Sequence, residues 1–307
     1  MSYFFTFVDR IINICFVVTD FKNNFFLNME EYSTVIKPKN KLFEVDFKEI
    51  WKYRDLFSMF VKRDIITQYK QTVLGPAWFF IQPAITTIMY MVVFGGIAGI
   101  STDSLPQPMF YLAGIVCWQY FSDCLNKTSS TFTANQGIFG KVYFPRLIVP
   151  LSTVTSNLVR TGIQFLLFVA VYIYYLINGV HVAPNAYILL LPLLFVMLAG
   201  LSLGFGIIIS SMTTKYRDLS ILFTFVVGLW MYATPVIYPL SAMSPKRQWI
   251  MALNPVTSIL EAFKYGTMGV GTFSWAQLGY SFGFMVVLLG VGIVVFNKVQ
   301  RSFMDTV

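Results

Sequence analysis

Residues 63–78 read RDIITQYKQTVLGPAW and decide the fold class. Charged and polar residues fill the first part of this stretch, Gly75 and Pro76 interrupt it, and no charge follows until Asp103. Because proline fixes φ and removes a backbone donor, this pair is a natural break between two helices. The pattern predicts a surface helix that ends here and a membrane-crossing helix that begins here.

The composition also favours a membrane protein. Of the 307 residues, 56% are hydrophobic and only 12% are charged, whereas soluble domains carry about 25% charged residues. The net charge of +8 does not indicate a nucleic-acid partner, because the Lys and Arg residues form no single patch. We expect no disulfide among the three cysteines and no metal site around the single histidine, His181.

Apolar segments long enough to cross a hydrocarbon core of ~30 Å follow the break. Five of them are clear: residues 77–100, 147–177, 187–211, 219–238 and 276–296. A sixth segment begins near Pro108 and is polar in its later turns, so it should face protein or water rather than lipid. We therefore predict an all-α integral membrane protein with six transmembrane helices in residues 75–300.

The loops differ in their basic residues, and this difference gives the orientation. Residues 101–107 and 178–186 contain no Lys or Arg, whereas residues 135–146, 212–218 and 298–301 contain two each. If the basic N-terminal region is inside, every one of these segments falls on its expected side. The prediction is a multi-pass protein with both termini in the cytoplasm.

The loop at residues 239–274 is an exception, because it is external in this arrangement yet holds Lys246, Arg247 and Lys264. Its apolar pieces are too short to cross the membrane. We expect short re-entrant helices that dip back from the outer face between the fifth and sixth spans. A simple surface loop is the alternative.

Residues 47–74 are predicted to form an amphipathic interfacial helix. Apolar residues between Ile50 and Ile65 recur at near-helical spacing, with Lys and Arg between them. This pattern suits the headgroup region of an anionic inner leaflet, although packing on a partner protein fits it as well. Residues 1–46 are interpreted as an N-terminal cytoplasmic extension, dispensable before Met29, and residues 301–307 as a cytoplasmic tail.

No energy source or catalytic motif is recognisable in the sequence. Gly140-Lys141 lacks the upstream glycine of a P-loop, and no Gly-x-Ser-x-Gly occurs. Only four acidic residues lie between positions 74 and 299, with no evident pair inside a span: Asp103, Asp123, Asp218 and Glu261. Arg160 is the one charge well inside a span, and it either snorkels inward or contributes to a gate. We expect no catalytic residue and no cofactor in this chain.

Four stretches together resemble the permeases of type-2 ABC exporters that transport O-antigen and teichoic acid. The first is residues 63–78, with Gln82-Pro83 one turn further on. The others are GKVYFPRLIVP at 140–150, YRDL at 216–219 with WMYATPVIY at 230–238, and LNP at 253–255 with EAF at 261–263. They span residues 50–301 in the order typical of that family, and residues 1–28 fall outside the resemblance.

The resemblance implies a homodimer of permeases in the bacterial inner membrane, bound to two copies of a separate ATPase that holds ATP and Mg. It also implies an ATPase-coupling surface on the inner side: Lys141, Tyr143, Phe144, Pro145, Arg146, Lys215, Arg217 and Asp218. Tyr143 and Phe144 would be apolar knobs for a groove in the ATPase. Arg146 and Arg217 would either pair with acidic partner residues or mark the membrane edge. Gly75 and Pro76 are a candidate hinge, although a plain helix break fits them equally.

The implied cargo is a lipid-linked polysaccharide similar to O-antigen. Because sugar rings stack on aromatic side chains, aromatic residues of the first and fifth spans are candidates for the substrate path: Trp78, Tyr90, Phe94, Trp230, Tyr232 and Tyr238. Aromatic residues also gather at membrane interfaces for unrelated reasons. The alternatives are a permease of the same type for teichoic acid, capsule, drug or lipid, and, from other classes, a membrane-embedded glycan-modifying enzyme or a channel.

Overall fold

The computed structural model describes residues 47–70, 72–180, 182, 184–216 and 218–303. These residues form helices and connecting turns and contain no strand. The predicted extension at 1–46, Arg217, His181 and the end of the tail at 304–307 lie outside the described residues.

Helices of very different length make up the described chain. In order they are α1 (Phe47–Lys52), α2 (Arg54–Tyr69), α3 (Trp78–Tyr90), α4 (Gln107–Ser129), α5 (Thr131–Ala134), α6 (Gln136–Phe139), α7 (Ile148–Ile177), α8 (Leu191–Thr213), α9 (Leu219–Trp230), α10 (Pro245–Ala252), α11 (Pro255–Met268) and α12 (Trp275–Phe303). A π-helix at Met91–Ile97 extends α3. Short 3-10 turns occupy Gly75–Ala77, Ala186–Leu190, Met231–Ala233 and Leu240–Ala242.

One end of the helical bundle, which we call the basal end, gathers the segments predicted to be internal. The Phe60 ring of α2 lies edge-on to Phe144 at 5.7 Å between centroids, and Phe132 stacks on Phe296 of α12 at 4.6 Å. The Tyr143 hydroxyl donates to Glu49 of α1 at 3.4 Å. The first helices, the loop before α7 and the last helix therefore meet at this end.

The opposite end, which we call the far end, gathers the segments predicted to be external. The Ser241 hydroxyl donates to the Asp103 carboxylate at 2.6 Å, which joins the loop after α3 to the loop after α9. The Asn185 amide donates to the Gly266 carbonyl at 3.1 Å, which joins the loop after α7 to α11. The two groups of loops are thus separated as the distribution of Lys and Arg predicts.

Helix α4 is the centre of the bundle and packs mainly against α7 and α8. Most of its side chains are buried, from Met109 near the far end to Ser129 at the basal end. This agrees with the expectation that the helix with polar later turns faces protein rather than lipid. Gly206 of α8 lies so close to Thr128 that a Cβ there would stand 2.5 Å from the threonine Cβ.

Four helical segments within the described residues are long and apolar enough to cross a membrane: Gly75–Ile97, Ile148–Ile177, Ala186–Thr213 and Trp275–Gln300. Helix α4 has sufficient length but is less apolar, and Leu219–Ala233 is apolar but short. The prediction of one continuous span over residues 219–238 is wrong. Thr234 precedes Pro235 and takes an extended backbone with φ −127° and ψ 141°, because a residue before proline disfavours the helical region.

Helices α10 and α11 form a hairpin that enters the bundle and returns to the far end. Asn254, between them, accepts from the Val256 amide and donates to the Ala233 carbonyl and the Thr234 hydroxyl. The turn of the hairpin therefore lies beside the broken end of α9. Helix α11 is buried along its length and ends at Gly269, whose φ of +71° suits glycine.

The predicted interfacial helix at 47–74 is two helices, with a break at Tyr53 and an end at Tyr69. One face of α1 and α2 packs on the basal core, where Phe60 is 8% exposed. Trp51 and Met59 remain exposed on the other side. Beyond α2, Gly75 has φ +52°, a left-handed conformation that glycine adopts without strain, and Pro76 begins the turn into α3. The structure contains the predicted break; motion about it stays a prediction.

Candidate functional site

The loop between α6 and α7 borders a cavity at the basal end. Residues 139–144, with Arg146 and Gln300, line a cavity of about 430 Å³. Lys141, Val142 and Tyr143 are exposed on its rim, and the Tyr143 ring is 59% exposed. Pro145 is half-buried and precedes the first turn of α7, where proline is well tolerated because no helical donor is lost. The loop thus presents an aromatic ring and a cation beside a cavity.

Phe144 does not project from this loop as a knob would, and its part in coupling to a partner stays a prediction. Its side chain is 4% exposed and lies between Phe60 of α2 and Phe139 of α6, with ring centroids 5.7 and 5.8 Å away. Burying a phenylalanine in an aromatic cluster stabilises the fold by about 1.5–3 kcal/mol relative to exposure. Only Tyr143 of the two predicted knobs is directed outward.

Arg146 is also buried, at 6% exposed, and anchors the loop to the last helix. Its Nη1 donates to the Gln300 carbonyl at 3.0 Å, and its guanidinium lies 5.4 Å from the Phe139 ring centroid. Burial lowers the pKa of the guanidinium, although arginine remains charged in proteins. The structure gives Arg146 contacts within the chain, and both predicted alternatives, pairing with an acidic partner residue and marking the membrane edge, stay predictions.

The second predicted coupling loop lies between α8 and α9. Lys215 and Tyr216 are exposed, and the Lys215 ammonium lies 5.2 Å from the Tyr216 ring centroid. Asp218 is exposed and its carbonyl accepts from the Ile221 amide at 3.0 Å, which begins α9. The Thr213 hydroxyl donates to the Ser129 carbonyl at 3.1 Å and holds the loop at the basal end. Arg217 is not among the described residues.

Most of the predicted path aromatics gather around the broken end of α9. The Tyr90 hydroxyl lies 3.1 Å from the Met231 sulfur, and the Tyr90 ring is 5.4 Å from Phe94. The Tyr238 hydroxyl donates to the Tyr232 carbonyl at 2.9 Å. Of this group, only Tyr232 is largely exposed, at 56%.

Trp78 and Trp230 do not belong to the group of aromatic residues around the broken end of α9. Trp78 is 46% exposed but lies at the start of α3, next to Gly75. Trp230 is half-buried and packs edge-on against Phe121 and Phe205, at 5.3 and 5.2 Å. The six predicted residues therefore do not form one continuous line in this chain.

Within the part of the chain that the structure describes, two pairs of charged side chains lie inside the bundle, and neither was predicted. Arg160 of α7 donates from Nη1 to Asp123 of α4 at 2.7 Å, while its snorkelling inward or its part in a gate stays a prediction. Lys264 of α11 has its Nζ 3.8 Å from Glu261, and both side chains are 2% exposed. The spacing of Glu261 and Lys264 on one helix was a usable signal, whereas Asp123 and Arg160 are brought together only by packing.

Within the described residues, no group of three or more His, Cys, Asp and Glu side chains could hold a metal ion. Long apolar helices and basic loops at one end are typical of a membrane-embedded protein. Comparison with known proteins identifies the family.

Residues 55–268 match the family described as ABC-2 type transporter, and the chain belongs to this family. Relatives include the O-antigen export system permease protein RfbA of Klebsiella pneumoniae, 26% identical over 82% of this chain and 94% of the relative. A second RfbA, of Myxococcus xanthus, is 26% identical over 71% of this chain and 82% of the relative. The polysialic acid transport protein KpsM of Escherichia coli is 24% identical over 80% of this chain and 93% of the relative.

Proposed function

We propose that this chain is the membrane-spanning subunit of an ATP-driven exporter that moves a lipid-linked polysaccharide across the bacterial inner membrane. Two copies form the transmembrane unit, and two copies of a separate ATPase subunit bind ATP and Mg and supply the energy. The observation that carries the proposal is the basal surface, where exposed Tyr143 and Lys141 border a cavity beside α1 and α2. An aromatic side chain beside a cavity is the usual anchor of a protein interface.

The proposed topology places the basal end in the cytoplasm, with both termini there. Basic residues of the loops at 135–146 and 212–218 support this orientation, because cytoplasmic loops carry an excess of Lys and Arg. Six crossings result when α4, and α9 with the extended residues after it, are counted beside the four long apolar segments. The α10–α11 hairpin then dips into the membrane from the outer face.

The proposed cargo follows from the relatives and from the aromatic surface near α9. Two of the relatives are named for O-antigen export and one for polysialic acid transport. Tyr232 is exposed beside the backbone break at Thr234 and Pro235, and Tyr238 and Tyr90 lie next to it. Flat aromatic faces that stack on sugar rings without strong hydrogen bonds suit a moving glycan.

The test is capture of a candidate ABC-exporter ATPase subunit from the same organism, when both chains are co-expressed and the permease carries the affinity tag. Tyr143→Asp places a charge on the proposed anchor and should reduce recovery of the ATPase about tenfold or more, because interface anchors typically contribute 2 kcal/mol or more. Tyr143→Phe is the matched control, since it keeps the ring and removes the hydroxyl that contacts Glu49.

Equal recovery of the ATPase with Tyr143→Asp and Tyr143→Phe would remove Tyr143 from the interface. The larger proposal fails if the unmodified chain captures no ATP-hydrolysing subunit, or if deletion of its gene leaves the glycan on the cell surface unchanged.

A further inference from the structure

A cluster of polar side chains lies between α3, α4 and α7, apart from the basal loops that the proposed coupling uses. Gln82 comes from α3, Asp123 and Lys127 lie one turn apart on α4, and Asn157 and Arg160 lie one turn apart on α7. We call these five residues the inner cluster. Residues three or four positions apart share a helix face, so two polar faces meet here within segments expected to cross the membrane.

The hydrogen bonds of the inner cluster join all three helices. Arg160 donates from Nη1 to Asp123 Oδ2 at 2.7 Å and from Nη2 to Gln82 Oε1 at 2.9 Å. Lys127 donates from Nζ to Asn157 Oδ1 at 2.7 Å. The guanidinium also lies 5.5 Å from the Phe79 ring centroid.

The inner cluster carries more positive than negative charge. It contains two cations, Lys127 and Arg160, and one carboxylate, Asp123. Asp64 of α2 also acts electrostatically on Lys127, but its carboxylate is paired with Arg63 at 2.8 Å. One positive charge therefore has no counter-charge within the cluster, and such a charge is costly among membrane-embedded helices.

The inner cluster also has hydrogen-bond donors to spare. Arg160 Nε is buried and has no acceptor among the described residues. Asn157 Nδ2 is also buried and makes no regular hydrogen bond, although the Asn157 side chain lies within reach of the Cys124 sulfur. Asn157 is 1% exposed, and its one oxygen already accepts from Lys127. Buried donors are normally satisfied, and each unmade bond destabilises the fold. A negatively charged hydrogen-bond acceptor would both neutralise the surplus charge and accept from the spare donors.

The cluster is accessible from one side of the bundle. Gln82 is exposed, and the Asp123 and Arg160 side chains are 32% and 16% exposed. Arg160 and Asn157 are held in place by their bonds to Asp123 and Lys127. The two spare donor atoms are themselves buried, so a ligand that enters from the exposed side must displace neighbouring groups to reach them.

We propose that the inner cluster binds a phosphate-type oxyanion, and that this anion is the phosphorylated headgroup of the lipid-linked cargo. The identity of the lipid rests on the proposed function; the oxyanion chemistry does not. A phosphate oxygen accepts from Arg160 Nε and Asn157 Nδ2 and neutralises the surplus charge, while Asp123 keeps its bond to Nη1. A planar guanidinium presents its donors in the geometry that phosphate oxygens match.

The experiment measures binding of radiolabelled polyprenyl phosphate to the full-length permease in phosphatidylcholine nanodiscs. Arg160→Gln should weaken binding about tenfold or more, because hydrogen bonds to charged groups contribute that much. Arg247→Gln removes the same charge from exposed α10 and should leave the affinity unchanged. Unchanged affinity in folded Arg160→Gln overturns the proposal, as does a failure of every phosphate probe to bind the unmodified protein.

A double variant keeps the test decisive if Arg160→Gln alone unfolds. Asp123→Asn with Arg160→Gln removes the ion pair as a unit, so no unpaired carboxylate remains and the fold should persist in thermal unfolding. It should still lose binding, whereas retained binding would show that the cluster only holds the helices together.

Two further probes identify the source of the phosphate group. Competition by phosphatidylglycerol in the nanodisc or by inorganic pyrophosphate in the buffer would support the oxyanion site but assign it to a general lipid or a free ion. Preference for polyprenyl phosphate assigns it to the cargo. If the phosphate probes do not bind but the cell surface still carries normal glycan, this site alone is overturned. If the unmodified chain captures no ATPase, the proposed function alone is overturned.

Discussion

Two internal ion pairs among the described residues have similar chemistry and different surroundings. Glu261 and Lys264 lie on α11 towards the far end and are each 2% exposed. Asp123 and Arg160 join α4 to α7, with side chains 32% and 16% exposed. The first pair is sealed inside protein, and the second opens to one side of the bundle.

The two pairs also differ in how completely their polar atoms are hydrogen-bonded. The Lys264 ammonium donates to the Pro235 carbonyl and lies 4.0 Å from the Phe110 ring centroid, while Glu261 Oε2 accepts from the Thr272 amide at 3.0 Å. Glu261 Oε1 has no hydrogen bond but faces the ammonium at 3.8 Å. In the inner cluster, by contrast, the polar atoms that make no regular hydrogen bond are donors, Arg160 Nε and Asn157 Nδ2.

This difference indicates different roles for the two pairs. The Glu261–Lys264 pair fixes the broken chain after α9 to α11 and α4, because Pro235 belongs to that break and Phe110 to α4. A pair whose neighbours are backbone groups of the same chain serves the fold. A pair with spare donors and an open side is suited to binding.

The largest expected effect is on stability, from Lys264→Met. Removing the ammonium leaves Glu261 buried and uncompensated, and breaking a buried pair in this way costs about 3–5 kcal/mol. Lys246→Met makes the same substitution on exposed α10 and should change stability by less than about 0.5 kcal/mol. Unfolding in mixed micelles of a mild detergent and dodecyl sulfate gives both values. Equal stability of the two variants would mean that the sealed pair does not support the fold.

The next largest effect is expected from Gly114→Ala, which tests how tightly the far end is packed near the Glu261–Lys264 pair. A Cβ at Gly114 of α4 would stand 2.8 Å from the Val236 carbonyl oxygen, which is backbone and cannot turn aside. Gly114→Ala should therefore cost about 1–3 kcal/mol. Gly290→Ala on α12 meets nothing within 4 Å and should instead stabilise by about 0.5–1 kcal/mol. The same unfolding assay decides, and a stable Gly114→Ala would show that the break after α9 can move away from α4.

Sequence alone predicted the parts of this fold that local chemistry determines. The break at Gly75 and Pro76 follows from their backbone preferences, and the burial of α4 follows from its polar later turns. The Glu261–Lys264 pair could also have been predicted, since the two residues are three positions apart on one predicted helix.

The remaining features depend on packing between distant segments. A count of apolar residues extended the fifth span to Tyr238, although the effect of Pro235 on Thr234 ends the helix earlier. Nothing local says which of Tyr143 and Phe144 faces inward, because an irregular loop has no period. Asp123 and Arg160 are 37 positions apart, and only the packing of α4 on α7 brings them into contact.

A smaller effect on stability is expected from Asp123→Asn in the inner cluster. The variant leaves Arg160 without its carboxylate, but both side chains are partly exposed, so the cost should be about 1–2 kcal/mol. Asp55→Asn is the matched control in an exposed pair with Arg54, 3.9 Å apart, and should cost less than about 0.5 kcal/mol. Unfolding of the two variants compares them directly. A loss for Asp123→Asn as large as that for Lys264→Met would place both pairs in the same structural role.

The smallest expected effect is from Gln82→Ala. Gln82 accepts from Arg160 Nη2 at 2.9 Å on an exposed side of the cluster, so water replaces the lost acceptor and stability should fall by less than about 1 kcal/mol. Thr86→Ala, one turn further on, removes only a bond to the Gln82 carbonyl within α3 and controls for changes in the helix itself. If Gln82→Ala destabilises as much as Asp123→Asn, the inner cluster is closed on the side of Gln82, as the Glu261–Lys264 pair is closed on all sides. A difference between the two variants would show that Gln82 can leave Arg160 without loss of the fold, as an open binding site requires.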